Sequence, residues 1–180
     1  MEFKKTNLSN AYIINLKTNE DDRGYFSRLF CQNKLKKIGL NKKILQVNHS
    51  FTKNKGTLRG LHFQYPPKAE IKIIKCINGE VWDVIVDLRK KSKTYGKSFS
   101  IKLTSKSQQM IFIPEGFAHG FITLQNNCEI LYFVTEYFSK KFEGTLRWND
   151  DFHNIKWPIK PKIISDKDKC APDWENNKAI

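Results

Sequence analysis

Long apolar runs, closely spaced cysteines and acidic residues are each scarce or missing in this sequence. No stretch approaches the roughly 20 apolar residues of a transmembrane helix, and residues 1–5 carry no hydrophobic signal segment. The four cysteines, Cys31, Cys76, Cys128 and Cys170, lie far apart, so no C-x-x-C pair indicates zinc or a redox centre. We therefore expect a cytoplasmic protein with no membrane association, whose thiols are reduced and mostly buried.

Acidic residues number 18 against 32 Lys and Arg, which gives a formal net charge of +14 with neutral histidines. A basic surface favours nucleic acid through counterion release, but it also draws small polyanions such as nucleotide diphosphates into a cleft. The lysines are spread along the whole chain, and we interpret most of them as a solvated surface. We therefore expect a small anionic substrate and no nucleic-acid partner.

The chain has 39% hydrophobic and 13% aromatic residues, enough for a core, and residues 1–180 are predicted to form one domain. Short apolar runs separated by turn residues are typical of a β-sandwich or barrel. We predict strands at residues 71–76, 81–88, 98–103, 109–113, 120–123 and 130–136. One short helix is predicted at residues 30–38, with Gly39 as its stop.

Asn78-Gly79 stands between the first two predicted strands and is a hairpin signal, because these residues readily adopt positive φ. In the strand after this turn, Asp83 and Asp87 share one face, which must meet water, a ligand or a polar pocket. The segment from Trp157 onward contains three prolines and is expected to lie over the surface of the sheets.

Four side chains could together move a proton beside a ketone. His62 lies in an apolar strand three residues after Arg59, where a lone histidine is more often structural. His119 stands in residues 113–121, where the alternative is a turn with the histidine exposed at its tip. Lys72 and Tyr132 interrupt apolar runs, and each alone could face solvent. As a set they offer a base, a cation for an enolate and an acid.

Several motifs, in order, resemble the dTDP-4-dehydrorhamnose 3,5-epimerase family. They are residues 22–26 (DRGYF), 56–64 (GTLRGLHFQ), 79–84 (GEVWDV), 114–121 (PEGFAHGF), 148–150 (WND), 157–158 (WP) and 165–168 (SDKD). The resemblance implies an all-β, cupin-type jelly-roll barrel with a few short helices, usually a homodimer. It also implies conversion of dTDP-4-dehydro-6-deoxy-D-glucose to dTDP-4-dehydro-L-rhamnose, for surface polysaccharide synthesis.

Carried over residue by residue, the resemblance implies that His62 is the base, Asp168 the carboxylate that orients it and Tyr132 the acid. Lys72 and His119 match positions around the sugar and its enolate. Positions that match substrate-binding residues are Arg23, Phe26, Gln46, Asn48, Arg59, Glu143 and Lys167, with Phe138 where an aromatic ring stacks on the base.

No cofactor is expected. Cupin metal sites usually contain an H-x-H pair, and no two histidines here are two residues apart. No G-x-G-x-x-G follows a strand, so the sequence lacks a nicotinamide fingerprint as well. Epimerisation beside a ketone needs neither group.

One position departs from the family, which typically has a glutamate near the ligand where this chain has Arg28. We expect Arg28 to alter the preference for nucleotide or sugar. One alternative is therefore a C3-only or C5-only epimerase of another nucleotide-activated 4-keto sugar. A second alternative, from another class, is a non-catalytic cupin that binds a sugar nucleotide or nucleic acid. His62, Tyr132 and Asp168 argue against it, because a binding module needs neither acid nor base.

Overall fold

The computed structural model describes residues 1–175 and 180 and consists mainly of β-strands. The strands are β1 (Glu2–Lys5), β2 (Tyr12–Asn15), β3 (Thr18–Asp21), β4 (Gly24–Ser27), β5 (Gln46–Thr52), β6 (Thr57–Gln64), β7 (Lys72–Asn78), β8 (Glu80–Asp87), β9 (Ser98–Thr104), β10 (Gln109–Ile113), β11 (Phe117–Thr123), β12 (Cys128–Val134), β13 (Glu143–Thr145) and β14 (Ile163–Ile164). Two short helices, α1 (Gln32–Leu35) and α2 (Asp166–Lys169), and 3₁₀ helices at Lys36–Ile38 and Lys140–Phe142 complete the described part.

Within the described residues, two six-stranded sheets pack face to face. The first has the order β1-β2-β10-β7-β12-β5, and the second has β13-β6-β11-β8-β9 with β14 parallel to β6. Ile74 and Ile130 of the first sheet meet Ile85 and Phe121 of the second in a shared core. From β7 to β12 the chain passes repeatedly between the sheets. This arrangement is a jelly roll, and it confirms the predicted all-β, cupin-type fold with a few short helices.

The turn at Asn78-Gly79 does not join a hairpin, so that prediction is wrong. β7 pairs with β10 and β12 in the first sheet, whereas β8 pairs with β9 and β11 in the second. Gly79 has φ +76°, and a Cβ there would lie 2.7 Å from the Sγ of Cys128. The turn chemistry fixes a local reversal of the chain, but burial between two sheets decides which strands pair.

Other predicted elements shift at their ends. The helix predicted at 30–38 begins at Gln32 and becomes 3₁₀ at Lys36, although Gly39 ends it in a left-handed conformation (φ +106°) as expected. The strand predicted at 120–123 begins earlier, at Phe117, where β11 already pairs with Asp87 of β8. Every residue of β11 is buried. His119 therefore lies inside a strand rather than at an exposed turn.

All four cysteines are free thiols, as predicted, but they are not mostly buried. Cys76 and Cys128 lie in the core between the sheets, whereas Cys31 is partly exposed and Cys170 exposed. Burial raises the pKa of Cys76 to about 12, so this thiol stays protonated. Within residues 1–175 and 180, no helix combines the length and apolar character needed to cross a membrane.

The segment after Trp157 packs over the second sheet. Trp157 and Trp174 lie against a cluster that includes Leu61 and Val84. Asp150 anchors the segment, because its buried carboxylate accepts a hydrogen bond from the Trp174 backbone N–H at 2.7 Å. This path brings α2 against β6, close to the site described below.

Gly79→Ala should lower the free energy of unfolding by more than the roughly 1–2 kcal/mol that a left-handed conformation costs an L-residue. The added Cβ would also collide with Cys128. Gly39→Ala is the matched control, since Gly39 also has positive φ but has no atom within 4 Å of the added Cβ. Chemical denaturation of both variants measures the difference, and equal losses would contradict a steric contribution from Cys128.

Candidate active site

Four predicted side chains meet between the two sheets. His62 on β6 and His119 on β11 are direct partners across the second sheet, so their side chains lie on the same face. Lys72 on β7 and Tyr132 on β12 come from the first sheet. All four line a cleft of about 480 Å³. The fold thus brings the base, cation and acid candidates together from four separate strands.

A second compartment of about 310 Å³ shares His62, Lys72 and Tyr132 with the first. These three side chains therefore stand where the two compartments meet. The predicted substrate-binding residues divide between them. Arg59, His119 and Lys167 line the first compartment, and Gln46, Asn48, Phe138 and Glu143 line the second.

His62 is paired with Asp168 at 2.6 Å between Nε2 and Oδ1. The other carboxylate oxygen accepts a hydrogen bond from the Gly60 backbone N–H at 3.1 Å. Burial alone would raise the pKa of Asp168, but the hydrogen bonds from His62 and Gly60 and the charge of His62 outweigh it and lower this pKa. The carboxylate is therefore ionised, and its contact with Nε2 leaves Nδ1 of His62 for proton transfer.

His119 has a similar partner that the sequence reasoning did not identify. Its Nε2 lies 2.8 Å from Oδ2 of Asp83, whose side chain is fully buried. Strand alternation predicts that Asp83 lies on the polar face of β8. In the structure this face is turned toward His119 on the neighbouring strand β11. One signal could have identified Asp83 from the sequence. It is an acidic residue that faces inward from the strand next to a candidate histidine.

Tyr132 and Lys72 lie on neighbouring strands of the first sheet and line the same cleft. The pKa of Tyr132 is raised, first by burial and then by the charge of Glu70, with Arg59 opposing. The phenol is therefore protonated at neutral pH. Nζ of Lys72 lies 3.0 Å from Glu70 Oε1 and donates a hydrogen bond to the backbone carbonyl of His62 at 3.3 Å.

Two cationic side chains, Arg59 and Lys167, line the first compartment. Arg59 donates to Thr52 Oγ1 at 3.1 Å and to the Phe51 carbonyl at 3.3 Å, and these hydrogen bonds fix its guanidinium. Lys167 is half-exposed and paired with Glu143. Two cations beside an apolar cleft are suited to the phosphates of a nucleotide sugar.

Three predicted substrate-binding residues do not reach the cleft of their own chain. Arg23 and Phe26 lie on the separate β3–β4 hairpin, with side-chain exposure of 89% for Arg23 and residue exposure of 60% for Phe26. Arg28 follows this hairpin and is also exposed. In the part of the chain that the structure describes, neither compartment includes them in its walls.

Sequence comparison identifies related proteins over nearly the whole chain. The family model described as dTDP-4-dehydrorhamnose 3,5-epimerase matches residues 5–176. The protein of that name from Salmonella typhimurium is 42% identical over 170 residues, which cover 93% of this chain and 92% of the relative.

Solved structures give the same result. The dTDP-4-dehydrorhamnose 3,5-epimerase from Elizabethkingia anophelis superimposes with a TM-score of 0.93 at 38% identity, covering 100% of this chain and 99% of that one. The dTDP-6-deoxy-D-glucose-3,5-epimerase of Legionella pneumophila, in complex with dTDP-4-keto-L-rhamnose, has a TM-score of 0.89 at 32% identity and covers 94% and 90%.

Asp168→Asn should lower the free energy of unfolding by about 1–3 kcal/mol at neutral pH, because it removes a charged acceptor from two hydrogen bonds. The pKa of Asp168 is depressed in the fold, so its contribution is present above the pKa of the unfolded chain and is lost as pH falls through the folded pKa. The difference from wild type should therefore shrink below about pH 4.

Denaturation at a series of pH values tests this dependence. Asp151→Asn changes an exposed aspartate and should show neither the loss nor the trend. A loss for Asp168→Asn that stays the same down to strongly acidic pH would contradict the role of the ionised carboxylate.

Proposed function

This chain belongs to the dTDP-4-dehydrorhamnose 3,5-epimerase family, and we propose that it converts dTDP-4-dehydro-6-deoxy-D-glucose to dTDP-4-dehydro-L-rhamnose. The protein is an isomerase of nucleotide-sugar metabolism, and its product would supply surface polysaccharide synthesis. The observation that carries the proposal is the meeting of a carboxylate-paired histidine, a lysine and a protonated phenol in one cleft between the sheets.

The proposed reaction uses the acidity of carbons beside a ketone. Nδ1 of His62 takes the proton from C5 or C3, and the electron pair moves into the C4 carbonyl to form an enolate. The ammonium of Lys72 stabilises the negative oxygen. Tyr132, from the opposite sheet, donates its proton to the other face of the carbon, which inverts it. His62 then releases its proton and Tyr132 regains one before the second carbon reacts.

We propose that the remaining cleft residues hold the nucleotide. Arg59 and Lys167 supply positive charge for the diphosphate, and Phe138 offers an exposed ring for stacking on the base. Gln46 accepts a hydrogen bond from the Phe138 backbone N–H at 3.3 Å, which ties this ring to β5. Because these cations stand in a small cleft, we propose a nucleotide sugar rather than a nucleic acid as the partner.

We propose that the protein works as a homodimer. Along the edge strand β5, Val47 and Phe51 point outward with 54% and 53% exposure. A second copy related by a two-fold axis would cover the apolar side chains, and two-fold pairs are the commonest assembly.

A dimer would also explain the position of the β3–β4 hairpin. We propose that Arg23, Phe26 and Arg28 enter the cleft of the partner subunit, since they lie outside their own. An arginine binds phosphate in a planar, bidentate manner, and an exposed phenylalanine can cover a base. The charge of Arg28 would then act on the choice of nucleotide.

We propose the cytoplasm as the place of action. All four cysteines are free, including the exposed Cys170. Reducing compartments keep thiols in this state.

His62→Ala should abolish deuterium uptake at both C3 and C5, because loss of a positioned base costs about 10²–10⁴-fold. Tyr132→Phe keeps the ring but removes the proton donor, so exchange should persist while inversion falls sharply. Tyr137→Phe is the control, since this tyrosine is 57% exposed. Proton NMR in D₂O follows both carbons. Exchange at one carbon only would favour a C3-only or C5-only enzyme, and complete loss in both variants would contradict the separate roles.

Mixing two inactive variants tests the dimer and the exchanged hairpin together. His62→Ala lacks the base, and Arg23→Ala lacks the proposed contribution to the partner. A mixed dimer contains one cleft with both native parts, so random assembly of equal amounts should restore about a quarter of wild-type activity. Light scattering should give twice the mass of the chain. Activity no higher than the mean of the separate variants would place Arg23 outside the partner's cleft.

A further inference from the structure

Glu70 stands beside the proposed catalytic lysine, although no motif of the sequence marked it. It lies just before β7 and lines the second compartment. Its Oε1 is 3.0 Å from Nζ of Lys72, and the two side chains are only 11% and 12% exposed. Because Nζ also donates to the His62 carbonyl at 3.3 Å, the ammonium is held between a carboxylate and the backbone of β6.

The second oxygen of Glu70 lies beside the Gln64 amide. Oε2 is 3.4 Å from Nε2 of Gln64, which also donates to the Lys68 carbonyl at 3.0 Å. Gln64 in turn donates to the Tyr137 carbonyl at 3.2 Å and accepts from the Ser139 backbone N–H at 2.6 Å. These contacts flank Phe138, the residue proposed to stack on the base. The carboxylate therefore lies between Lys72, its close partner, and Gln64, which contacts the loop that carries this ring.

Burial makes the ion pair between Lys72 and Glu70 stronger than a pair on the protein surface. An exposed lysine and glutamate contribute little to stability because water screens them and their side chains are mobile. Both side chains here are nearly removed from solvent, where a charge left without its partner is costly. The Lys72 ammonium is thereby confined to one position in the cleft.

Glu70 also acts on Tyr132. Its charge is the largest contribution after burial to the raised pKa of this phenol. The other charged or titratable side chains that line the two compartments with Tyr132 are Arg59, His62, Lys72, His119, Glu143, Lys167 and Asp168. On the adjoining strands, the ionisable residues His49, Lys75 and Glu129 alternate with those that face the cleft and so lie on the outer face of the sheet.

We propose, on the basis of the proposed function, that Glu70 is a positioning residue whose carboxylate holds the Lys72 ammonium where the two compartments meet. Its negative charge also disfavours ionisation of the Tyr132 phenol, which lines the same compartment. Glu70 thus serves both halves of the reaction. It places the cation that receives the enolate charge, and its own charge favours the protonated form of the acid that reprotonates the carbon.

Glu70→Gln tests the inference, because glutamine has the same size and can keep the contact with Gln64. The enolate charge develops only during the reaction, so kcat should fall about tenfold or more with little change in KM. The alkaline limb of kcat should also move to lower pH, because Tyr132 loses a neighbouring negative charge. Glu80→Gln is the matched control, since Glu80 pairs with Lys102 at 3.8 Å away from the cleft.

A substrate-free measurement separates this inference from the proposed function. With ¹³C-labelled tyrosine, NMR titration follows the ionisation of Tyr132, whose signal is identified by its loss in Tyr132→Phe. The pKa of Tyr132 should fall in Glu70→Gln and stay unchanged in Glu80→Gln. Glu70→Asp keeps a carboxylate and should titrate closer to wild type than Glu70→Gln does, which gives a second variant.

The outcomes are distinct. A wild-type protein that leaves the dTDP-linked 4-keto sugar unchanged would overturn the proposed function, while the NMR titration still tests Glu70. Wild-type kcat in Glu70→Gln would overturn the positioning role. An unshifted Tyr132 titration in Glu70→Gln would overturn the action of Glu70 on the phenol.

Discussion

The hydrogen bond between His62 and Asp168 is the contact on which the site depends, because it joins α2 to β6 across 106 residues of chain. The same carboxylate accepts the backbone N–H of Gly60, and the side chain of Ser165 holds the backbone of Asp168 from the other side. Losing the Asp168 carboxylate would leave the imidazole without an orienting partner and the buried N–H of Gly60 unpaired. The placement of the proposed base and the attachment of the C-terminal segment therefore rest on one interaction.

The division of the site between two sheets suits an inversion. His62 and His119 belong to the second sheet, whereas Lys72 and Tyr132 belong to the first. A sugar lying between the sheets would meet the proposed base on one face and the proposed acid on the other. The packing distance of the two sheets thus sets the separation of the groups, and the shared apolar core keeps that distance constant.

Much of this arrangement could be predicted from the sequence, and the failures have physical reasons. The strand at Gln109–Ile113 was predicted with its observed bounds because its apolar run ends at a proline. His62, Lys72 and Tyr132 could be identified because their chemistry conflicts with their apolar surroundings. The hairpin predicted at Asn78-Gly79 is wrong because a turn specifies a reversal of the chain but does not specify which strands pair. The pairing of Asp83 with His119 was missed because the two residues are 36 positions apart and on different strands, whereas Glu70 stands only two residues before Lys72 but belongs to no motif.

The link between α2 and β6 also has a consequence for synthesis of the protein. Ribosomes add about 5–20 residues per second, so Asp168 emerges on the order of 5–20 s after His62, from which 106 residues separate it. During that interval the strands that carry His62, Lys72, His119 and Tyr132 are already available for pairing. The nascent chain can therefore assemble most of its cleft before the imidazole has its carboxylate, and the proposed base becomes oriented only when α2 docks.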